Sequence, residues 1–150
     1  MRGSKLLLTC TVAILFCSDL SRPVVLAQEK ALEKERAALQ GTWVALRYEE
    51  RGKLIVDGAR RTFIIKDDNV TFQHDGKTIH KGTFVLDPTK NPKHLDIRYS
   101  SGQQTDLTIY VRAGDYIIQC GNRDGKTRPV EFLSGAEKGG AYLTVWKIER

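Results

Sequence analysis

"AALQGTWVALRYEERGK", residues 37–53, is where the chain changes its period. Upstream, residues 28–40 (QEKALEKERAALQ) set Ala31, Leu32, Ala38 and Leu39 among Glu and Lys, the spacing of a short amphipathic helix. From Thr42 onward apolar and polar residues alternate, which is the period of a strand. Gly41 ends the helix, and Trp43 is the first large apolar side chain of the strand. The helix carries a like-charged Glu29–Glu33 pair and is marginal alone. It is expected to dock on the domain through Leu32 and Leu39.

Working outward, nine strand-like runs follow: Thr42–Glu50, Arg61–Lys66, Val70–His74, Thr78–Leu86, His94–Tyr99, Asp106–Arg112, Tyr116–Cys120, Val130–Leu133 and Ala141–Ile148. Turn chemistry separates them. Asp75-Gly76 suits a tight type I′ hairpin, and Asp67-Asp68-Asn69, Ser101-Gly102 and Gly114-Asp115 act similarly. Asp87-Pro88 through Pro92 forms a longer turn, because proline cannot donate to a ladder. No crossover helix interrupts the series, so the pairing is antiparallel. Closure into a barrel would remove the exposed edges of such a meander.

The alternation predicts an inner face. Phe63 and Ile65 are expected to meet Val70 and Phe72 across their hairpin. Leu95, Ile97 and Tyr99 share one side, as do Leu107, Ile109 and Val111. Tyr142, Thr144, Trp146 and Ile148 face one way, with Leu143 and Val145 opposite. A last strand apolar on both faces suggests a cover, either the helix or a partner. Eleven aromatic residues lie beyond residue 27. With most of them inward they would fill much of a small barrel and leave a shallow pocket.

The N-terminus reads as an export signal. Arg2 and Lys5 precede an apolar run of 11 residues, Leu6–Phe16, and Val25-Leu26-Ala27 fits a cleavage site before Gln28. Eleven residues are too few to cross a bilayer, which needs about 20. The expected product is an exported chain, periplasmic or extracellular, with no transmembrane segment left after cleavage. Cys10 and Cys17 leave with the signal, so Cys120 remains without a disulfide partner and reads as a buried structural thiol. Net charge is +6, and +4 once Arg2, Lys5, Arg22 and Asp19 are gone. The charges are interspersed. That excludes the basic, aromatic-studded stripe of a nucleic-acid binder and leaves weak attraction to anionic envelope polymers.

No reaction chemistry is legible. His74, His80 and His94 lack metal-ligand spacing, although His74 and His80 could meet across the Asp75-Gly76 hairpin. There is no Gly-x-Ser-x-Gly. The candidate carboxylates Asp67, Asp68, Asp75, Asp87 and Asp96 are mostly turn formers. "DGKT" occurs at 75–78 and 124–127, but it lacks the glycine and helix of a phosphate loop. The expectation is a non-enzyme without cofactor or metal.

A short helix, Gly-x-Trp at Gly41 and Trp43, and an antiparallel meander together resemble the lipocalin pattern. Asp115-Tyr116 stands where a second signature would read Thr-Asp-Tyr. More specifically, "LQGTW" (39–43), "GTFVLDPTKNPKHLDI" (82–97), "IYVRAGDYIIQC" (109–120) and "RPVEF" (128–132) resemble a family of planctomycete exported domains with a lipocalin-like fold. The match spans roughly residues 37–148, and Thr108 stands where the family usually has Gly. The resemblance implies a fold and export; it implies no activity. It also implies that Trp43 packs at the closed end of the barrel under a late cation, Arg128 or its rival Lys147. Pro129 would start a strand and Phe132 would point inward.

The expectation is therefore an all-β, lipocalin-like up-and-down barrel of about eight or nine short strands over residues 41–150, preceded by a signal (1–27) and a helix (28–40). Phe63, Phe72, Tyr99, Tyr110 and Trp146 are candidate walls for a small apolar or amphipathic ligand at its open end. The alternative is an envelope interaction protein with a filled barrel, binding another protein or a polymer.

Overall fold

In the computed structural model, residues 22–102, 105–135 and 141–150 are described. Of the signal read at residues 1–27, residues 1–21 lie outside them. A helix α1 (Arg22–Leu39) leads into β1 (Gly41–Glu50), β2 (Lys53–Leu54), β3 (Arg61–Lys66), β4 (Asn69–His74), β5 (Lys77–Asp87), β6 (Lys93–Tyr99), β7 (Thr105–Ala113), β8 (Tyr116–Asn122) and β9 (Ala141–Ile148). Eight strands pair antiparallel in chain order, and β1 closes on β9, with Trp43 opposite Ile148 and Glu50 opposite Tyr142. The two-residue β2 hangs on the outer end of β1. This is the expected closed meander barrel. α1 begins earlier than expected and runs through the Ala27–Gln28 bond.

The turns follow their residues. Asp75 and Gly76 have φ of 51° and 75°, the double positive of a type I′ hairpin that joins His74 to Lys77. Gly41, at φ 126°, lets the chain enter β1 so close to the last strand that a Cβ there would lie 2.8 Å from Cδ1 of Ile148.

Inward residues make one core of Leu39, Trp43, Phe63, Ile65, Val70, Phe84, Leu95, Ile97, Tyr110, Ile117 and Trp146, each nearly inaccessible. Each such side chain contributes roughly 1.5–3 kcal/mol by leaving water. α1 stoppers the closed end. Leu39 is fully buried and its carbonyl accepts the Trp43 indole N–H at 2.9 Å. Glu35 accepts the Tyr110 hydroxyl at 3.0 Å and pairs with Lys93 at 2.8 Å. Arg36 pairs with Asp68 and lies over the Phe84 ring. Tyr110→Phe is expected to cost about 1 kcal/mol in urea unfolding, one buried hydrogen bond. An unchanged midpoint would mean that α1 is held by its apolar contacts alone.

Three expectations are corrected. Val130–Leu133 is not a strand. β8 already pairs with β9 from Tyr116 to Asn122, so the barrel offers this segment no free edge. Arg128 instead ties it to the outside, with both guanidinium nitrogens on the Asp96 carboxylate (2.5 and 2.7 Å) and one on the Thr108 carbonyl at 2.7 Å. Pro129 is half-buried in that crossing and starts no strand; Phe132 is half-buried and Val130 is 78% exposed. Second, β7 is inverted. Asp106, Thr108 and Tyr110 face inward, opposite Ile97, Leu95 and Lys93 of β6, while Val111 is exposed. Ile109 is buried on the outer face, beside Cys120, whose thiol donates to the Leu133 carbonyl at 3.4 Å. Third, of the two covers offered for the outer face of β9, the helix is not one: α1 packs against β5, while Leu143 lies beside Cys120, whose thiol meets the Leu133 carbonyl, and Val145 is half-buried.

Candidate functional site

Two β-bulges shape the open end. In β1, Trp43 and Ala45 face inward, and strict alternation would then turn Tyr48 and Glu50 outward. The ladder with β9 slips between Ala45 and Arg47, so Leu46 is the extra residue and is exposed. Tyr48 and Glu50 are thereby brought opposite Thr144 and Tyr142, on the inner face. A second slip between β4 and β5 makes Ile79 the extra residue there. Tyr48, Glu50 and Ile79 all line one cavity of about 260 Å³ at this end of the barrel.

The wall of that cavity is a chain of rings. Trp146 tilts against Phe63 (5.5 Å), Phe63 stacks on Phe72 (4.5 Å, 6°), Phe72 meets Tyr99 (6.3 Å), and Tyr99 meets His80 (5.1 Å). Phe72, Tyr99 and Trp146 line the cavity, as do Tyr48 and Tyr142. Phe63 backs the wall from the core. Tyr110 lies at the opposite end, bonded to Glu35 of α1. Of the five candidate walls, three are therefore at the cavity and two are packing residues.

The polar groups form two sets. Outside the lining itself, Asp106 is 1% exposed and one carboxylate oxygen accepts both the Tyr99 hydroxyl (2.7 Å) and the Tyr142 hydroxyl (3.2 Å). Its other oxygen has no partner among the described residues. Burial raises the Asp106 pKa, opposed by the two tyrosine bonds and the charge of Arg123. At the lip, Arg123 donates to Glu50 (3.1 Å) and to the Tyr48 hydroxyl (2.9 Å) and lies over the Tyr142 ring, 5.0 Å from its centre. Arg61 lies over the Tyr48 ring at 4.7 Å and is held by Asp57. On the wall between, Trp146 donates its indole N–H to Gln119 at 3.0 Å.

Sequence reasoning missed Asp106, Arg123, Tyr48 and Tyr142. Asp106 sits at a strand start, where an acid reads as a turn residue. Tyr48 could have been found only by placing the bulge at Leu46.

A carboxyl whose folded pKa is raised contributes stability below its unfolded value, 3.8, and loses it as pH rises through the folded value. Asp106→Asn does not titrate. Urea unfolding from about pH 4 to about pH 8 is expected to show a decline in the wild type that the variant lacks. A wild-type-to-variant difference that stays constant with pH would remove Asp106 as its source.

The other motif residues have structural surroundings. Trp43 is 1% exposed at the closed end. No cation covers it: among the described residues the stacked cations lie over Phe84, Tyr48, Tyr142 and Tyr116, and the last of these is Lys147 over Tyr116. Arg128 is occupied by Asp96 on the outer face. His74 and His80 both line the cavity. The described residues hold no cluster of three groups that could bind a metal, and no helix long and apolar enough to cross a membrane. Set against protein-family models, curated proteins and solved structures, the chain matches none.

Proposed function

We propose that this protein is an exported binding module that holds one small amphipathic molecule in the open end of its barrel. The observation that carries the reading is the cavity of about 260 Å³ lined by the rings of Phe72, Tyr99 and Trp146 together with polar groups such as Glu50, Gln73 and Arg123. Sites for drug-sized ligands run from about 300 to 1,000 Å³, so the fit is to something smaller. Rings supply contact area at low entropy cost, and a few placed polar groups orient the guest. Asp106, Tyr99 and Tyr142 bond to one another rather than offering a nucleophile beside its base, which favours binding over catalysis.

Native mass spectrometry of the protein purified after export from a native-like host tests this. The expected result is an added mass that leaves on denaturation and is absent from Thr144→Phe, which would fill the cavity from β9. A bare monomer in both, with no added small molecule taken up, would sink the reading. It would transfer support to the alternative, an envelope interaction protein. What favours that alternative is an outer strip of Val111 (43% exposed) and Ile118 (36%), directly paired across β7 and β8.

A further inference from the structure

We infer that the open end of the barrel docks on an anionic lipid bilayer. The inference needs no guest in the cavity. In an up-and-down barrel, alternate connections share one end. The β1–β2 turn, the segment 55–60, the β4–β5 hairpin and the start of the β8–β9 connection therefore emerge together, around the cavity that Glu50, Arg61, Ile79 and Arg123 help to line. Hydrogen bonds hold two of them side by side. The Arg60 N–H donates to the Asp75 carboxylate and the Asp75 N–H donates to the Arg60 carbonyl, both at 2.8 Å.

Aliphatic side chains are exposed on these connections. Val56 is 85% exposed, and Leu54 and Ile79 are exposed as well. Leu46, turned out by the bulge in β1, lines a surface hollow with Leu54 and Val56. Cations stand among them. Arg51 and Lys53 precede Leu54, and Lys77 and Lys81 bracket Ile79. Among the described residues these four cations have no acid partner. The acids of this end are already engaged: Asp57 by Arg61, Glu50 by Arg123 and Asp75 by the Arg60 N–H. At the closed end, by contrast, Arg36, Lys90, Lys93 and Arg150 each have an acid. Uncompensated cations and exposed aliphatic tips thus coincide at the open end.

That interleaving decides the partner. A protein interface gathers aromatic residues in an apolar core and leaves charge at the rim. Here Leu46, Leu54, Val56 and Ile79 are all aliphatic, and Lys53, Lys77 and Lys81 lie between them rather than around them. A bilayer surface sets lipid phosphates directly above acyl carbons, so it can take ammonium groups and aliphatic tips in one layer. The long lysine stems let the charge stay at the phosphates while a neighbouring tip enters below. Docked in this way, the end of the barrel that holds the cavity faces the lipid.

The test is flotation of the exported protein with vesicles of phosphatidylcholine that contain phosphatidylglycerol, against phosphatidylcholine alone. The wild type is expected to float with the anionic vesicles only, and less as salt is added. Lys53→Ala/Lys77→Ala is expected to weaken binding about 25-fold, about fivefold for each cation. Val56→Ser should weaken it at unchanged charge. All three side chains are exposed, so the urea midpoints should hold, which separates lost docking from lost folding. In Val56→Trp, lipid brominated in its acyl chains should quench the added indole and spare the buried Trp43 and Trp146. Equal flotation with neutral vesicles, or none with either, would overturn the proposal. Binding untouched by the substitutions would place the contact elsewhere on the molecule and overturn it too. Salt-sensitive binding without quenching, displaced by heparin, would assign the surface to a soluble polyanion instead of a bilayer.

Discussion

Trp43→Ala is expected to cost about 3–5 kcal/mol in denaturant unfolding, the range for deleting a buried aromatic whose site does not collapse. Trp43 is 1% exposed, and its N–H is the hydrogen bond that fixes the last turn of α1 to the barrel. The loss therefore has two parts. One is the cavity left at the closed end, among Phe63, Leu39 and Ile148. The other is the orphaned Leu39 carbonyl, which is buried and has no water to turn to. Trp43→Phe restores most of the volume and not the bond, so it should recover the larger share. A loss under about 1 kcal/mol for the Ala variant would mean that Trp43 does not hold the closed end together. Because the cavity lies at the other end, the Trp43 variants that remain folded should bind as the wild type does.

Gly82→Ala is the second large effect, at about 3 kcal/mol, the upper part of the overpacking range. Gly82 lies inward on β5, between Val70 and Tyr99. A Cβ there would fall 2.2 Å from the Arg98 carbonyl oxygen and 3.1 Å from the Tyr99 Cα. Both are backbone atoms, so no side chain can rotate away and the two strands must part. Parting them moves Tyr99, and with it the 2.7 Å bond to Asp106, so binding at the cavity should weaken along with stability. Gly76→Ala is the control. Its Cβ meets nothing within 4 Å, and the cost comes only from the positive φ of 75°, about 1 kcal/mol. Equal losses in the two variants would show that the close approach at Gly82 relaxes freely.

Most of the architecture was legible in the sequence because local chemistry and global fold agree. Two-residue hairpins were marked by Asp-Gly, Asp-Asp and Gly-Asp, and the inward sets on β3, β4, β6 and β9 followed from strict alternation. The misreadings have physical causes. On β7 the apolar set Leu107, Ile109 and Val111 looked like the core face. The barrel instead takes Asp106, Thr108 and Tyr110, because Tyr99 and Tyr142 both donate to one oxygen of the acid while Leu95 and Gln119 satisfy the threonine. A buried polar residue looks like a surface residue until its partners are known. Val130–Leu133 had strand composition, but strand formation needs a free ladder edge, and β8 and β9 leave none.

By itself the sequence determined the order of the eight barrel strands and their antiparallel sense, since these depend on period and on turn residues close along the chain, although it also marked Val130–Leu133 as a strand and passed over β2. Only the tertiary structure decided where the site is. Single-residue slips at Leu46 and Ile79 set which residues of β1 and β5 reach the cavity, and its lining brings together Tyr48, Tyr99, Tyr142 and Arg123 from different strands and turns. Register is a property of two strands together, and a hydrogen-bond network is a property of several. Neither is written in any one stretch of sequence.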